Sequence, residues 1–168
     1  MIYLDYVATT PLNSEVLTTY HNLLENYFYN ADSAYDKGIE INRLMEHSRK
    51  LLSETFKVKE DELIFTSCGS EANNLAIKGT AFQYQNRGKH IITTAIEHSS
   101  VYESCKELEK VFGFEVTYLK VDKRGCISLQ ELQDSIRDDT ILVSIMYVNN
   151  EIGVINPIED IKRIVKKH

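Results

Sequence analysis

Two polar clusters stand where chemistry could be done. Glu97-His98-Ser99 follows a predicted strand at His90–Thr94, and Asn149-Asn150-Glu151 closes another at Thr140–Met146. A carboxylate and an imidazole, which titrates near neutrality, can orient neighbours and carry protons. His98 could also lay its ring over a flat ligand, or serve structure alone. Glu97 could be a surface carboxylate or could orient a neighbour. Two amides and a carboxylate are costly to bury unless bonded, so Asn149–Glu151 either hold a turn or hold a ligand's hydroxyl. A third segment, Thr66-Ser67-Cys68-Gly69-Ser70-Glu71, joins a predicted strand to a helix through small residues. Free amides at a helix start, with the helix dipole behind them, suit an anion. There Gly69 would let the backbone approach closely and the Ser70 hydroxyl would add a bond, although a tight turn with no ligand accounts for the same residues. No GxGxxG or Walker motif is present to decide between them. Asp5, Tyr6, Thr9 and Thr10 form a smaller polar group that reads as an Asx or ST turn leading to Pro11.

These clusters need elements to position them. Asn13 or Ser14 can cap a helix running to about Phe28, because either side chain accepts a bond from the free first-turn amides. A polar, irregular stretch from Tyr29 to Lys37 follows. Ile39, Leu44, Leu51, Leu52 and Phe56 then trace a long amphipathic helix. Glu62–Thr66 reads as a buried strand, Ser70–Gln85 as a helix, Ser99–Val111 as another helix, and Phe114–Leu119 as a strand. Ser128 and Glu131 have the spacing of a capping box, in which each side chain satisfies the other residue's amide. Pro157 starts a last helix where its missing N–H costs little. Alternating units with near-continuous apolar strands predict an α/β fold, a mainly parallel sheet with helices on both faces and an N-terminal helical arm. The carboxyl ends of such strands are where these sheets gather ligands.

The 168 residues suffice for one domain with a sizeable core, and 43% hydrophobic and 26% charged residues are ordinary for a soluble protein. No linker, repeat or low-complexity stretch divides them, so a single domain over 1–168 is expected, its arm ending near residue 35. A net charge of -6 argues against a nucleic-acid backbone as the main partner. No apolar run approaches the roughly 18–20 residues of a membrane span. Met1-Ile2-Tyr3-Leu4-Asp5 lacks the features of a signal peptide, so a cytoplasmic location is expected. Cys68, Cys105 and Cys126 are odd in number and widely spaced, which suggests neither a disulfide framework nor a metal site. The five histidines show no ligand spacing.

Four segments, in this order and spacing, resemble cysteine desulfurases, pyridoxal phosphate enzymes of the class-V aminotransferase group. They are Tyr3-Leu4-Asp5 with Ala8-Thr9-Thr10-Pro11, then Phe65 to Ala76, then Glu97-His98, and Val148-Asn149-Asn150-Glu151-Ile152-Gly153. The resemblance covers essentially the whole chain. It implies an incomplete large domain of a fold type I pyridoxal-phosphate-dependent transferase. Under it, Gly69 and Ser70 bind the cofactor phosphate, His98 stacks on the pyridine ring and is a candidate proton carrier, and Asn150 bonds the ring oxygen. The implied substrate is L-cysteine, converted to L-alanine while a thiol of the enzyme takes up the sulfur as a persulfide. The implied partners are a sulfur-acceptor or scaffold protein, in iron–sulfur cluster assembly or tRNA thiolation, and a second copy in a homodimer.

The chain also departs from the family pattern. Asn30-Ala31-Asp32-Ser33-Ala34-Tyr35 lacks the usual proline and histidine of that segment, Val7 stands where a small polar residue is usual, and Cys68 stands where glycine is usual. Cys68, Cys105 and Cys126 do not match the family's nucleophile. Its Schiff-base lysine and catalytic cysteine have no match up to His168, so the isolated chain is expected to be inactive, and either poorly stable or dependent on a partner. The alternative expectation is a non-catalytic remnant or interaction module that pairs with a full-length relative. An unrelated nucleotide-binding α/β domain is the third.

Overall fold

The computed structural model describes residues 2–168. Their contacts divide at Phe65 into two compact units. The first carries helix α1 (Ser14–Asn26), helix α2 (Asp36–Phe56) and a 3-10 turn at Glu60–Glu62. The Asn13 side chain accepts from the Glu15 amide and starts α1, as its residue type predicts. No residue of α1 is buried, and α2 buries only Gly38, Ile41 and Ser53.

The predicted strand at Glu62–Thr66 does not form. Glu62 closes the 3-10 turn, and Leu63 to Thr66 join no strand ladder. Leu63 and Phe65 meet Arg49 of α2 instead. The Leu63 carbonyl accepts from the Arg49 guanidinium, whose carbon also lies 4.8 Å from the centre of the Phe65 ring.

The second unit, Thr66–His168, holds α3 (Gly69–Tyr84), β1 (His90–Thr94), α4 (Ser99–Phe112), β2 (Glu115–Leu119), α5 (Leu129–Ser135), β3 (Thr140–Val143) and α6 (Ile158–Val165). The strands form one sheet in the order β2-β1-β3, every pair parallel. All five residues of the central strand β1 are buried. Because side chains alternate along a strand, Ile91 and Ile92 serve opposite cores. Ile91 packs with Ile77 and Ala81 of α3 and with Val101, Cys105 and Leu108 of α4. Ile92 packs with Leu119, with Leu132 of α5 and with Ile161 of α6. Helices therefore cover both faces, as the β/α alternation predicts.

Two backbone positions fix how the strands enter and leave. A side chain at Gly88 would collide with the backbone of Asp139, whose carbonyl accepts from the His90 amide at 3.1 Å. Gly113, at φ +69°, ends α4 in the left-handed region that glycine enters without strain. At the start of β1, His90 is buried and bonded through both ring nitrogens, to Thr140 at 2.7 Å and Thr117 at 2.8 Å. It thereby joins all three strands.

Smaller differences from the sequence reading have local causes. β3 stops at Val143 rather than Met146, because after the Ser144 amide bonds Ile92 the chain turns into the loop described below. The capping box at α5 is half made. Ser128 Oγ accepts from the Glu131 amide at 3.2 Å, but the Glu131 carboxylate accepts from the Lys120 amide at 3.4 Å. Pro157 caps α6 from just outside it.

Candidate functional site

At the carboxyl end of β1 the Thr94 hydroxyl donates to Glu97 Oε1 at 2.9 Å. The same oxygen accepts from the Met146 amide, beyond β3, at 2.8 Å. Glu97 is thus an orienting carboxylate that ties the loop after β1 to the loop after β3. Burial raises its carboxyl above the usual range, opposed by the two bonds it accepts. His98, next in sequence, caps α4 with its ring. Its Nδ1 accepts from the Ser100 amide at 3.2 Å and lies 2.8 Å from Ser100 Oγ. Histidine is not among the usual N-cap residues. The ring is exposed, so capping leaves its face open to solvent.

The loop after β3 folds back on itself as a short hairpin, with Val148 bridged to Ile155. Asn149 is 4% exposed, and its two polar atoms have separate tasks. Oδ1 accepts from the amides of Glu151 at 2.9 Å and Ile152 at 3.1 Å, which closes the turn. Nδ2 donates to the Ile96 carbonyl at 3.1 Å, which makes a second tie to the β1 loop. Asn156 adds a bond from Nδ2 to the Met146 carbonyl at 2.9 Å. Of the cluster read from the sequence, Asn149 therefore holds the turn. Asn150 stands exposed, with only a 3.5 Å approach of Nδ2 to Glu151 Oε1. Its amide is available to another molecule.

At the start of α3 the first intrahelical bond runs from the Ala72 amide to the Cys68 carbonyl. The amides of Gly69, Ser70 and Glu71 precede any intrahelical acceptor. The Glu71 carboxylate reaches back to Ser67, accepting from its amide and its hydroxyl, both at 2.6 Å. Those bonds hold the Glu71 carboxyl below the usual range. Cys68 makes no side-chain cap bond, but the Glu71 amide, the Ser67 hydroxyl and the Ser70 amide lower its thiol below the ordinary value. Around Gly69 nothing lies within 4 Å of where a side chain would begin. A groove of about 220 Å³ brings Ser70 and Asn74 of α3 to Ser99, Ser100 and Ser104 of α4.

The loops after β1 and β3, which carry His98 and Asn150, are thus tied together, and the start of α4 meets the start of α3, which carries Ser70. The donor set suits a phosphate with a flat aromatic ring. It offers a helix start whose Gly69 amide is uncommitted and whose Ser70 and Glu71 amides face only the Cys68 sulfur, an exposed Ser70 hydroxyl, an exposed imidazole, and an exposed carboxamide. Pyridoxal phosphate has those parts. Sequence reasoning offered Glu97 as a carboxylate that could orient a neighbour, but its partners Thr94 and Met146 and the contact of Ser100 with His98 were not singled out. Their only signal was position beside a strand end.

The remaining sequence candidates lie elsewhere or do other work. The N-terminal turn forms, but the Tyr3 hydroxyl, not the Asp5 or Thr side chains, secures it. That hydroxyl donates to the carbonyls of Asp5 at 2.8 Å and Thr9 at 3.2 Å. Cys105 is buried, and burial pushes its thiol up to about 11. Among the described residues no group of acidic, histidine and cysteine side chains could hold a metal ion, and no helix is long and apolar enough to cross a membrane.

The family described as aminotransferase class-V matches residues 2–168. The chain is 47% identical over 167 residues to the cysteine desulfurase IscS of Dictyoglomus turgidum, covering 99% of this chain and 42% of that protein. It is 46% identical over 167 residues to the cysteine desulfurase IscS of Methanosarcina thermophila, covering 99% of this chain and 41% of that one. Among solved structures, a NifS-like protein superimposes with a TM-score of 0.94 at 42% identity, covering 99% of this chain and 45% of that chain. A structure described as SspA in complex with cysteine gives 0.91 at 38% identity, covering 99% and 48%. The chain therefore spans less than half the length of these relatives.

Proposed function

Because the chain belongs to the class-V aminotransferase family, we propose that it is the cofactor-facing N-terminal segment of a cysteine desulfurase, an enzyme that takes sulfur from L-cysteine and releases L-alanine. The observation that carries this reading is the convergence of the Ser70, His98 and Asn150 segments at the carboxyl end of the sheet, with Glu97 and Asn149 binding two of them together. The domain assignment that goes with it is one large cofactor-binding domain over 1–168, with an N-terminal arm to about residue 35. The named relatives support sulfur transfer as the reaction. Iron–sulfur cluster assembly or tRNA thiolation as the destination, a sulfur-acceptor or scaffold partner, a homodimer and a cytoplasmic location complete the proposal.

The amides of Gly69 and Ser70, with the Ser70 hydroxyl, would hold the phosphate of pyridoxal phosphate. The exposed His98 ring would lie against the pyridine ring, and the Asn150 carboxamide would donate to the ring oxygen. When bound, the group supplies an electron sink for bonds at the α-carbon of the amino acid. Glu97 and Asn149 keep the His98 and Asn150 segments at a fixed spacing, so the ring contact and the oxygen contact are made together. Cys105 is walled off from any substrate by burial, and the sulfur-accepting thiol is not assigned to Cys68 or Cys126. Residues 1–168 alone are expected to bind without turnover.

The test is a titration with pyridoxal phosphate beside pyridoxal, which lacks the phosphate. Binding of the first should exceed that of the second. Ser70→Ala should weaken pyridoxal phosphate by about tenfold, the value of one hydrogen bond to a charged group. Equal affinity for the two compounds would sink the proposal.

A further inference from the structure

A relay of hydrogen bonds runs from α3 to the ring of His98. Asn73 Nδ2 donates to Ser100 Oγ at 2.8 Å, in a partly buried position that joins α3 to α4. A carboxamide nitrogen can only donate, so Ser100 Oγ accepts there and keeps its own proton to give. His98 Nδ1, 2.8 Å away, lies within reach of that proton. The Ser100 amide points at the same nitrogen from 3.2 Å. The Ser104 hydroxyl donates to the Ser100 carbonyl at 2.6 Å and holds the first turn of α4 beneath the relay. Two donors therefore converge on Nδ1, and a nitrogen that accepts from both cannot carry a hydrogen of its own.

We propose that Asn73 and Ser100 are positioning residues that set the tautomer of the His98 ring, with its proton on Nε2, and that fix the ring's orientation for the contact described above. The inference rests on the proposed cofactor site for its function, but the tautomer is a property of the protein by itself. Three consequences follow for the reaction. The nitrogen turned away from α4 is a donor, so the ring presents an N–H, rather than a lone pair, to whatever it meets there. Protonation of the ring would have to occur at Nδ1 and would break both bonds from Ser100. Asn73, 25 residues upstream, reaches the site only through Ser100.

The test is a long-range proton–nitrogen correlation spectrum of the protein without cofactor, with His98 assigned by its loss in His98→Gln. The wild type should show Nδ1 unprotonated and Nε2 protonated. Ser100→Ala removes one of two donors and should raise the Nδ1–H to Nε2–H ratio about fivefold, the worth of one net hydrogen bond. Ser100→Thr should restore the wild-type ratio. Asn73→Asp keeps the shape but turns a donor into an acceptor, draws the Ser100 proton away, and should move the ratio the same way as Ser100→Ala. A protonated Nδ1 in the wild type, or a ratio unmoved by both Ser100→Ala and Asn73→Asp, overturns the inference. Pyridoxal phosphate titrated into the same samples separates the two readings. A tautomer that responds as stated in a protein that ignores the cofactor leaves the relay standing and removes the proposed function.

Discussion

At the scale of the residue, environment divides three cysteines of one chemical type. Cys68 is exposed at the start of α3, where neighbouring amides and the Ser67 hydroxyl favour its thiolate. Cys105 lies in the core and is held as the thiol. Iodoacetamide near pH 7.5 should therefore label Cys68 first and Cys105 last, because the thiolate is the reacting form. Peptide mapping by mass spectrometry gives the order, and pyridoxal phosphate should slow labelling at Cys68 if the phosphate takes the adjoining amides. Labelling of Cys105 ahead of Cys68 would contradict the assignment. The sequence marked Cys68 only as a replacement for a usual glycine. Its reactivity depends on the direction of the α3 amides, which no local pattern encodes. His98 shows the same limit, because its candidacy was legible from its place after β1 but its bond to Ser100 was not.

At the scale of the element, the three strands are joined at their amino ends by His90. Burial lowers its affinity for a proton, and the nearby Arg137 adds to the effect. Its folded-state value thus lies below the ordinary histidine value of about 6.5. As pH falls through that value the unfolded chain takes up the proton first. The stability present above about pH 6.5 should then decline toward the folded value. Urea midpoints between about pH 7.5 and 5.5 should fall in the wild type and fall less in His90→Gln. At the upper pH that variant should lose about 1–3 kcal/mol, since a buried threonine hydroxyl loses its partner. An equal slope in both proteins would exclude His90 as the titrating group. β1 was legible to the residue, because the four β-branched positions after His90, bounded by Gly88-Lys89 and a polar loop, admit little else. Leu63 to Thr66 has a similar composition but no strand beside it, and a strand exists only by pairing. The Glu97 clasp was hidden for a related reason, since its two partners lie 3 and 49 residues away.

At the scale of the whole molecule, burial is distributed unevenly. The second unit holds both apolar cores, whereas α1 buries nothing and exposes Val16, Leu17, Tyr20 and Leu24. Local opening is easiest where few apolar contacts must be broken. Amides of α1 should exchange with deuterium well before those of β1 and α4, and mass spectrometry of peptic fragments would show it. Protection of α1 equal to that of β1 would mean that its apolar residues are covered in solution. The α/β class, the parallel sheet and the covered faces were legible because alternation of elements leaves few other arrangements. The division at Phe65 was not, since no glycine or proline run marks it. Within the second unit, the bonds from Glu97 to Met146 and from Asn149 to Ile96 make the loops after β1 and β3 thermodynamic partners. Whatever stiffens the Asn150 loop lowers the entropy still to be lost by the His98 loop, and the reverse holds by the same amount. A molecule that touches both loops is therefore favoured over the sum of two fragments that each touch one.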